Sequence, residues 1–482
     1  MSSRAIAIAL MGIVGISGCS LAPKYEHPSV VMPSSWEGGA HPKESVFAGG
    51  KLSWDEFVLS KNLKKSIQIA LENNKDLKQA LINLEATQRL YGIQRADRFL
   101  QLEAQAGGSR QRIPADLSQS GEAIIQHSYS VGLGVSAFEL DLFGRVKSLS
   151  EAALEEYLAT KYASYAVRIA LVGEVMRVWI ERQRAHERVK ILLGMVDSHK
   201  KSQSLIKERY EKGASGAMEY QEAVNLAIKA QMDRYKAQAE LQQAENALVA
   251  LLGLKSALEL PAMEEEEAIL HGEITPYLPS ELLQRRPDIG AAEHRLKSKY
   301  ANIGAARAAF FPRIILTANG GSSSELLSKL FDGGSGAWSF APQITLPIFD
   351  AGKNQNSLEL AKLRRDEALV EYERSIEIAF KEVKDALSLS ASLHWIEKAS
   401  KESMQNEEKR LKLSASRYSA GMDSHVHYLE AERRWLSERL AWVEAKSADE
   451  VAMATLFKVL GGGWNPEEIL GEDEGLGANK EE

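Results

Sequence analysis

The chain reads as a mainly α-helical protein with a transmembrane β component, written as an internal tandem repeat. Three observations predict this class. A set of short motifs recurs at a nearly constant offset, two pairs of segments alternate with a period of two, and long helical stretches carry a 3.5-residue apolar step.

The repeat comes first because it fixes the rest. Arg209-Tyr210-x-x-Gly213 recurs as Arg417-Tyr418-x-x-Gly421, an offset of 208 (209 to 417), and Glu174-Val175 recurs as Glu382-Val383 and Gly144 as Gly352 at the same spacing. Upstream, Asp76, Ala80, Arg95 and Ala96 recur as Asp288, Ala292, Arg307 and Ala308, an offset of 212 (76 to 288). Each copy has one order: helix, two strands, very long helix, turn, helix. The boundaries this gives are residues 1–18 as a leader, 19–57 as an N-terminal segment, 58–265 and 266–463 as the two copies, and 464–482 as a disordered acidic tail.

Composition narrows the function. The 482 residues hold 59 Lys+Arg and 66 Asp+Glu, a formal charge of −7, which lacks the basic excess a nucleic-acid surface needs to neutralise phosphates. With 44% hydrophobic and 26% charged residues the chain is not disordered throughout. One cysteine excludes an internal disulfide, a cysteine-based zinc site and a redox pair.

That cysteine has a context. Arg4 precedes an apolar run from Ala5 to Ile16, followed by Ser17, Gly18 and Cys19, the parts of a secretory signal. The run is too short to span a bilayer, which takes about 20 apolar residues. Its end resembles a bacterial lipobox, in which Cys19 becomes the first mature residue and is acylated; several acyl chains anchor durably where one is marginal. Ser20, rather than Asp, follows it, as in lipoproteins sorted to the outer membrane. No later run is long enough for a membrane helix, which leaves lipid or a barrel.

The first helix is expected from about Asn62 to Arg98, and alternating segments follow near Leu102 to Gln111 and Ile125 to Leu142. In the latter Tyr129, Val131, Leu133, Val135 and Ala137 face one way and Ser128, Ser130, Gly132, Gly134 and Ser136 the other. The second copy sets Trp338, Phe340, Ile344, Leu346 and Ile348 against Ser339, Ala341, Gln343 and Thr345. An apolar face opposite a small polar one suits lipid outside and a wet lumen inside, and equally a half-buried sheet. Four strands cannot close a barrel, for which about eight is the small end, so if these span a membrane several chains must share one barrel. Trp338 and Phe340 suit an aromatic girdle, or burial between protomers.

From about Arg145 to Lys212 there is no proline, and a helix of that length would approach ~100 Å. Leu158, Tyr162, Tyr165, Ile169, Val172, Met176 and Trp179 step by four and three, the seam of a coiled coil. Leu369, Tyr372, Ile376, Ala379, Val383 and Ala386 repeat it, and after Gly421 it continues through Val426, Leu429, Leu436, Leu440 and Val443, interrupted by Arg433. Glu264 to Glu267 read as a solvated linker between the copies.

At this point the residues resemble the TolC-like outer-membrane efflux channels, in their OprM-type lipoprotein branch. The resemblance rests on Cys19 to Tyr25, on Phe138-Glu139-Leu140-Asp141-Leu142-Phe143-Gly144-Arg145 and on Leu278-Pro279-Ser280 with Arg286-Pro287-Asp288-Ile289. Ile303 to Pro312 and Leu346-Pro347-Ile348-Phe349-Asp350-Ala351-Gly352 complete it. It implies a homotrimer with four strands per protomer, a twelve-stranded shared barrel and a tunnel of twelve helices. It also implies a passive exit duct for small molecules, a periplasmic adaptor, an inner-membrane pump of the resistance-nodulation-division class, and no cofactor or catalysis.

The resemblance further implies a periplasmic aperture. Its two acidic positions fall on His427 and Glu430, its latch tyrosine on Tyr418 and that residue's acidic partner on Glu219. The latch arginine falls on Asp423, a departure that leaves a Tyr418 to Glu219 hydrogen bond as the expected survivor. Histidine changes charge in mildly acid conditions, so two readings of His427 stay open: a ring that makes conductance pH-dependent, and a solvated hairpin residue with no regulatory role. A metal site from His425, His427 and Glu430 is not expected, since positions 425 and 427 lie on different sides of a helix. Lys212, Gly213, Ala214, Ala420, Gly421 and Met422 are the expected adaptor contacts. Two other readings stay open: the outer-membrane component of a protein secretion system, and a lipid-anchored periplasmic coiled-coil scaffold. No nucleophile elbow, phosphate loop or HExxH pattern points to an enzyme.

Overall fold

The computed structural model describes residues 20–28, 53–119, 121–263, 268–272, 274, 281–462 and 464. Cys19, the Leu278-Pro279-Ser280 segment, the Glu264 to Glu267 run and the tail from 465 lie outside them. In chain order the elements are α1 Trp54–Phe57, α2 Lys61–Asn73, α3 Lys75–Ala96, β1 Leu102–Ile113, β2 Ile124–Leu140, α4 Arg145–Glu211 and α5 Ala217–Leu252. The second copy gives α6 Leu282–Arg285, α7 Pro287–Ala308, β3 Arg313–Ser324, β4 Gly336–Thr345, α8 Lys353–Ser419 and α9 His425–Val459.

The helix expected from Asn62 to Arg98 is two helices. Asn74 sits between them in an extended conformation; its Oδ1 accepts from Leu77 N at 2.9 Å, capping α3, while its Nδ2 donates to Leu251 O at 3.0 Å. A short amide side chain that offers the backbone a partner competes with helix continuation, which no apolar periodicity reports.

The chain divides into two compact units, and neither is a copy of the repeat. One gathers residues 20–28, Asn83–Lys161 and Ala291–Glu373; the other gathers residues 53–82, Tyr162–Gly290 and the chain from Arg374.

The first unit holds one antiparallel sheet of order β1-β2-β3-β4, so the two copies share a sheet through the β2–β3 ladder. Pairing runs from Leu102↔Val135 to Ile113↔Ile124, from Tyr129↔Ser324 to Val135↔Ala318, and from Arg313↔Thr345 to Ser322↔Gly336. Between Val135 and Phe138 the register shifts, and Ala137 takes φ 56°. That bulge corrects the expectation that Ala137 continues the alternation of Tyr129 to Val135, because an extra residue re-aims the side chains after it. β4 ends at Thr345, so Leu346 and Ile348 lie beyond the strand. In the same unit residues 20–28 lie along α7: Tyr25 Oη donates to Glu293 Oε1 at 3.2 Å, its ring meets Tyr300 edge-on at 5.5 Å, and Arg307 Nη1 donates to Leu21 O at 3.1 Å.

The second unit is helical. Its core brings Leu63 and Ile67 of α2, Val175, Met176 and Trp179 of α4, Leu248 and Leu252 of α5, and Phe457 of α9 together, with Phe57 stacked on Phe457 at 4.4 Å. Full burial of such a side chain contributes about 1.5–3 kcal/mol. The heptad step survives as a stripe on α8, where Ile376, Ala379, Val383 and Ala386 are buried. On α4 burial from Leu171 to Ile180 runs almost around the helix, because α2, α5 and α9 all contribute to that core. Among the described residues no helix is long and apolar enough to cross a membrane.

Candidate functional site at the hairpin tips and the strand to helix junctions

Two places combine polar chemistry with built geometry. The helical unit carries the tips of the α4–α5 and α8–α9 hairpins, and the sheet unit carries the junctions where strands become long helices.

Both tips are closed by the same bonds. Gly213 N donates to Tyr210 O at 3.0 Å and Ala214 N to Arg209 O at 2.8 Å; Gly421 N donates to Tyr418 O and Met422 N to Arg417 O, both at 2.9 Å. Gly213 and Gly421 each adopt φ 73°, the left-handed conformation that ends a helix at little cost only when no Cβ is present. The recurring Arg-Tyr-x-x-Gly is therefore a helix terminator whose carbonyls satisfy the turn. Lys212, Gly213, Ala214, Ala420, Gly421 and Met422 are all exposed at these tips.

Beyond the turns the tips diverge. In the first, Ser215 Oγ donates to Glu219, and α5 starts at Gly216 without a side-chain cap. In the second, Ser424 Oγ caps α9 by accepting from His427 N at 3.3 Å, and Arg417 Nε donates across the turn to Asp423 Oδ2 at 2.7 Å. That donation holds the Asp423 carboxyl below its ordinary pKa, with the nearby His427 adding to it at 4.0 Å. Tyr418 stacks on His425 at 4.8 Å and on Tyr428 at 5.9 Å. The expected Tyr418 to Glu219 hydrogen bond is not made within the chain, because Tyr418 is stacked in its own hairpin and Glu219 is taken by Ser215. Glu430 and His427 are exposed on α9. No group of three or more metal-ligating side chains occurs among the described residues.

The junctions explain the two other motifs. Asp141 accepts from Arg145 N at 2.6 Å and Lys147 N at 2.7 Å, capping α4; Asp350 accepts from Gly352 N at 3.0 Å and Asn354 N at 2.9 Å, capping α8. A carboxylate is the favoured group there, since the first amides of a helix lack partners and carry partial positive charge. Glu139 takes Arg145 through Nε at 2.8 Å and Nη2 at 2.6 Å and also Arg313 Nε at 2.6 Å, tying the end of β2 to the starts of α4 and β3. Between the junctions lies a cavity of about 500 Å³ lined by Asp141, Arg145, Phe311, Arg313, Asp350 and Lys353 among others. Sequence reasoning marks these segments without giving them a task. The signal available is an Asp two or three residues before each repeated glycine. The contacts of Tyr220 and Tyr428 escape it, although the 208-residue offset that relates Tyr220 to Tyr428 is a signal that could have found them; His425, which has Ala217 as its counterpart, carries none.

An antiparallel sheet with two unpaired edges, in a chain of long paired helices, defines a class of outer-membrane channel subunits. The chain belongs to the outer membrane efflux protein family, whose sequence profile matches residues 66–254 and 278–462. It is 44% identical to the outer membrane protein OprJ of Pseudomonas aeruginosa over 458 residues, 95% of both chains. It is 39% identical to the probable efflux pump outer membrane protein TtgC of Pseudomonas putida over 467 residues, 96% of both. Among solved structures, a Pseudomonas aeruginosa membrane protein matches with TM-score 0.84 and 43% identity over 92% of this chain and 100% of that one. The open state of the Neisseria gonorrhoeae MtrE outer membrane channel matches with TM-score 0.81 and 35% identity over 92% and 98%. The protein is an efflux channel of the bacterial outer membrane.

Proposed function

We propose that three copies of the chain close one twelve-stranded barrel and one tunnel of twelve helices, forming a passive exit duct. Drugs, toxic compounds or metal ions would be the cargo, delivered by an inner-membrane pump of the resistance-nodulation-division class through a periplasmic adaptor. The carrying observation is the sheet itself: β1 and β4 are its edges, and Trp338 of β4 is 83% exposed with Phe340 and Ile344 exposed beside it. An edge of unpaired backbone groups is tolerated in hydrocarbon only if it is closed, and four strands are too few to close on themselves. Copies pairing β4 to β1 resolve both. The relatives named as efflux pump outer membrane proteins support the partners.

Native mass measurement of the detergent-extracted protein, with single-channel recording on the same sample, tests the assembly. A trimer that conducts is expected; a monomer without a pore rejects it. A photo-crosslinker at Ala214 or Ala420 should capture the adaptor in cells. His427 and Glu430 would ring the periplasmic aperture, with Tyr418, Glu219 and Asp423 shaping its rim. Acylation at Cys19 would add a lipid anchor, and the docking of Leu21 and Tyr25 on α7 supports a fixed path for it. Cys19→Ser should then stay in the outer-membrane fraction, because the barrel holds it; release as a soluble protein would favour the scaffold reading instead.

A further inference from the structure

The two hairpin tips share a feature that the repeat carries and the latch expectation does not explain. Tyr210 stacks on Tyr220 across the first turn, with centroids 5.4 Å apart and planes inclined by 6°. Tyr418 stacks on Tyr428 across the second at 5.9 Å and 20°. Both members are offset by 208 residues (210 to 418, 220 to 428), so the pair is inherited as a unit. Each joins the last turn of one helix to the first turn of the next, and both distances fall in the range of attractive ring stacking. None of the four hydroxyls makes a hydrogen bond among the described residues.

We infer that these tyrosines are positioning residues that brace the tips through their ring faces, and that Tyr418 acts by stacking rather than through a hydroxyl latch. The second brace is the larger one. His425 stands where the first copy has Ala217, and its ring lies on both Tyr418 at 4.8 Å and Tyr428 at 5.9 Å, giving three rings where the first tip has two. The Arg417 to Asp423 ion pair spans the same turn. Arg209, at the position equivalent to Arg417, reaches only the Ala214 carbonyl, at 3.5 Å. The second tip is thus the stiffer of the two. A consequence for closure rests on the reading of these tips as the aperture.

The test compares Tyr418→Phe with Tyr418→Ala and Tyr210→Phe with Tyr210→Ala in the full-length protein. Two readouts are taken: hydrogen exchange of residues 205–225 and 413–432, and single-channel conductance. Phenylalanine keeps the ring, so both Phe variants should exchange and conduct like the parent. Tyr210→Ala should speed exchange at its own tip by roughly 2- to 10-fold, the factor that corresponds to one ring pair, and Tyr418→Ala, which removes two pairs, should speed it more. In the parent, exchange should be slower at the second tip than at the first. Tyr418→Phe behaving like Tyr418→Ala overturns the brace, since the hydroxyl would then be the active group. Unchanged exchange in both Ala variants overturns it as well. Faster exchange with unaltered conductance upholds the brace and rejects the aperture reading.

Discussion

Arg286, immediately before α7, donates through Nη1 to Glu382 Oε2 of α8 at 2.7 Å. The same guanidinium holds Asp288 through Nε at 3.0 Å and Nη2 at 2.6 Å and reaches Val459 O of α9 at 3.3 Å, while its side chain is only 11% exposed. In the first copy Asn74 occupies the equivalent position and bonds Leu251 O, the equivalent of Val459 O. One position therefore ties the start of a helix to the end of a hairpin in both copies, once with an amide and once with a cation.

Removing the cation should be costly. Arg286→Ala leaves Glu382 and Asp288 without their shared partner, and because both carboxylates are partly exposed the loss should be about 2–3 kcal/mol, less than the roughly 3–5 kcal/mol of a fully buried pair. Thermal unfolding of the purified protein would report it, and Arg286→Lys should recover part of the loss.

Glu450 sets a pH dependence. Burial pushes its carboxyl from the ordinary 4.5 up to about 7, with Asp449 and Glu397 reinforcing the shift and Lys446 opposing it. Asp449 Oδ1 beside it is buried without a hydrogen-bond partner. The native state then binds a proton more tightly than the unfolded chain. Stability should be fully present below pH 4.5 and be lost as pH rises through 7, by up to about 3 kcal/mol. Melting temperature measured across pH 4 to 8 should fall in that window, and Glu450→Gln should flatten the profile and be the more stable protein at pH 8.

The capping carboxylates should be worth a cap each. Asp141→Ala and Asp350→Ala each strip two backbone amides of their acceptor, at about 1–2 kcal/mol apiece. Hydrogen exchange confined to the first turns of α4 or α8 is the expected signature. Asn at either position should cost less than Ala.

At the proposed aperture, Glu430→Gln should lower cation selectivity in reversal-potential measurements, because in the proposed trimer it would remove three symmetry-related charges from one ring. Identical selectivity in Glu430→Gln and the parent would move the aperture elsewhere on the hairpins.

Much of the architecture is legible in the sequence because it is periodic. Two-residue alternation locates β1, β2 and β4, the duplication calls for a fourth strand without placing it, and the α8 stripe through Ile376 to Ala386 can be read residue by residue. The departures are local. Asn74 divides a helix, Ala137 opens a bulge, and Asp423, where the resemblance puts an arginine, pairs with Arg417 across its own turn. The first and last depend on a side chain finding a particular backbone group or ion and the bulge on one extra residue in the β2–β3 pairing, none of which a hydropathy pattern encodes.

The amino-acid order by itself determined the duplication, the element types and the turn glycines, since these follow from spacing and periodicity. What the tertiary structure alone decided is which side chains meet: Tyr210 with Tyr220, Tyr418 with His425 and Tyr428, Glu139 with two arginines, Arg286 with Glu382. Those pairings join different elements of the chain, and contact between distant or turn-separated groups is fixed by packing geometry, not by local preference.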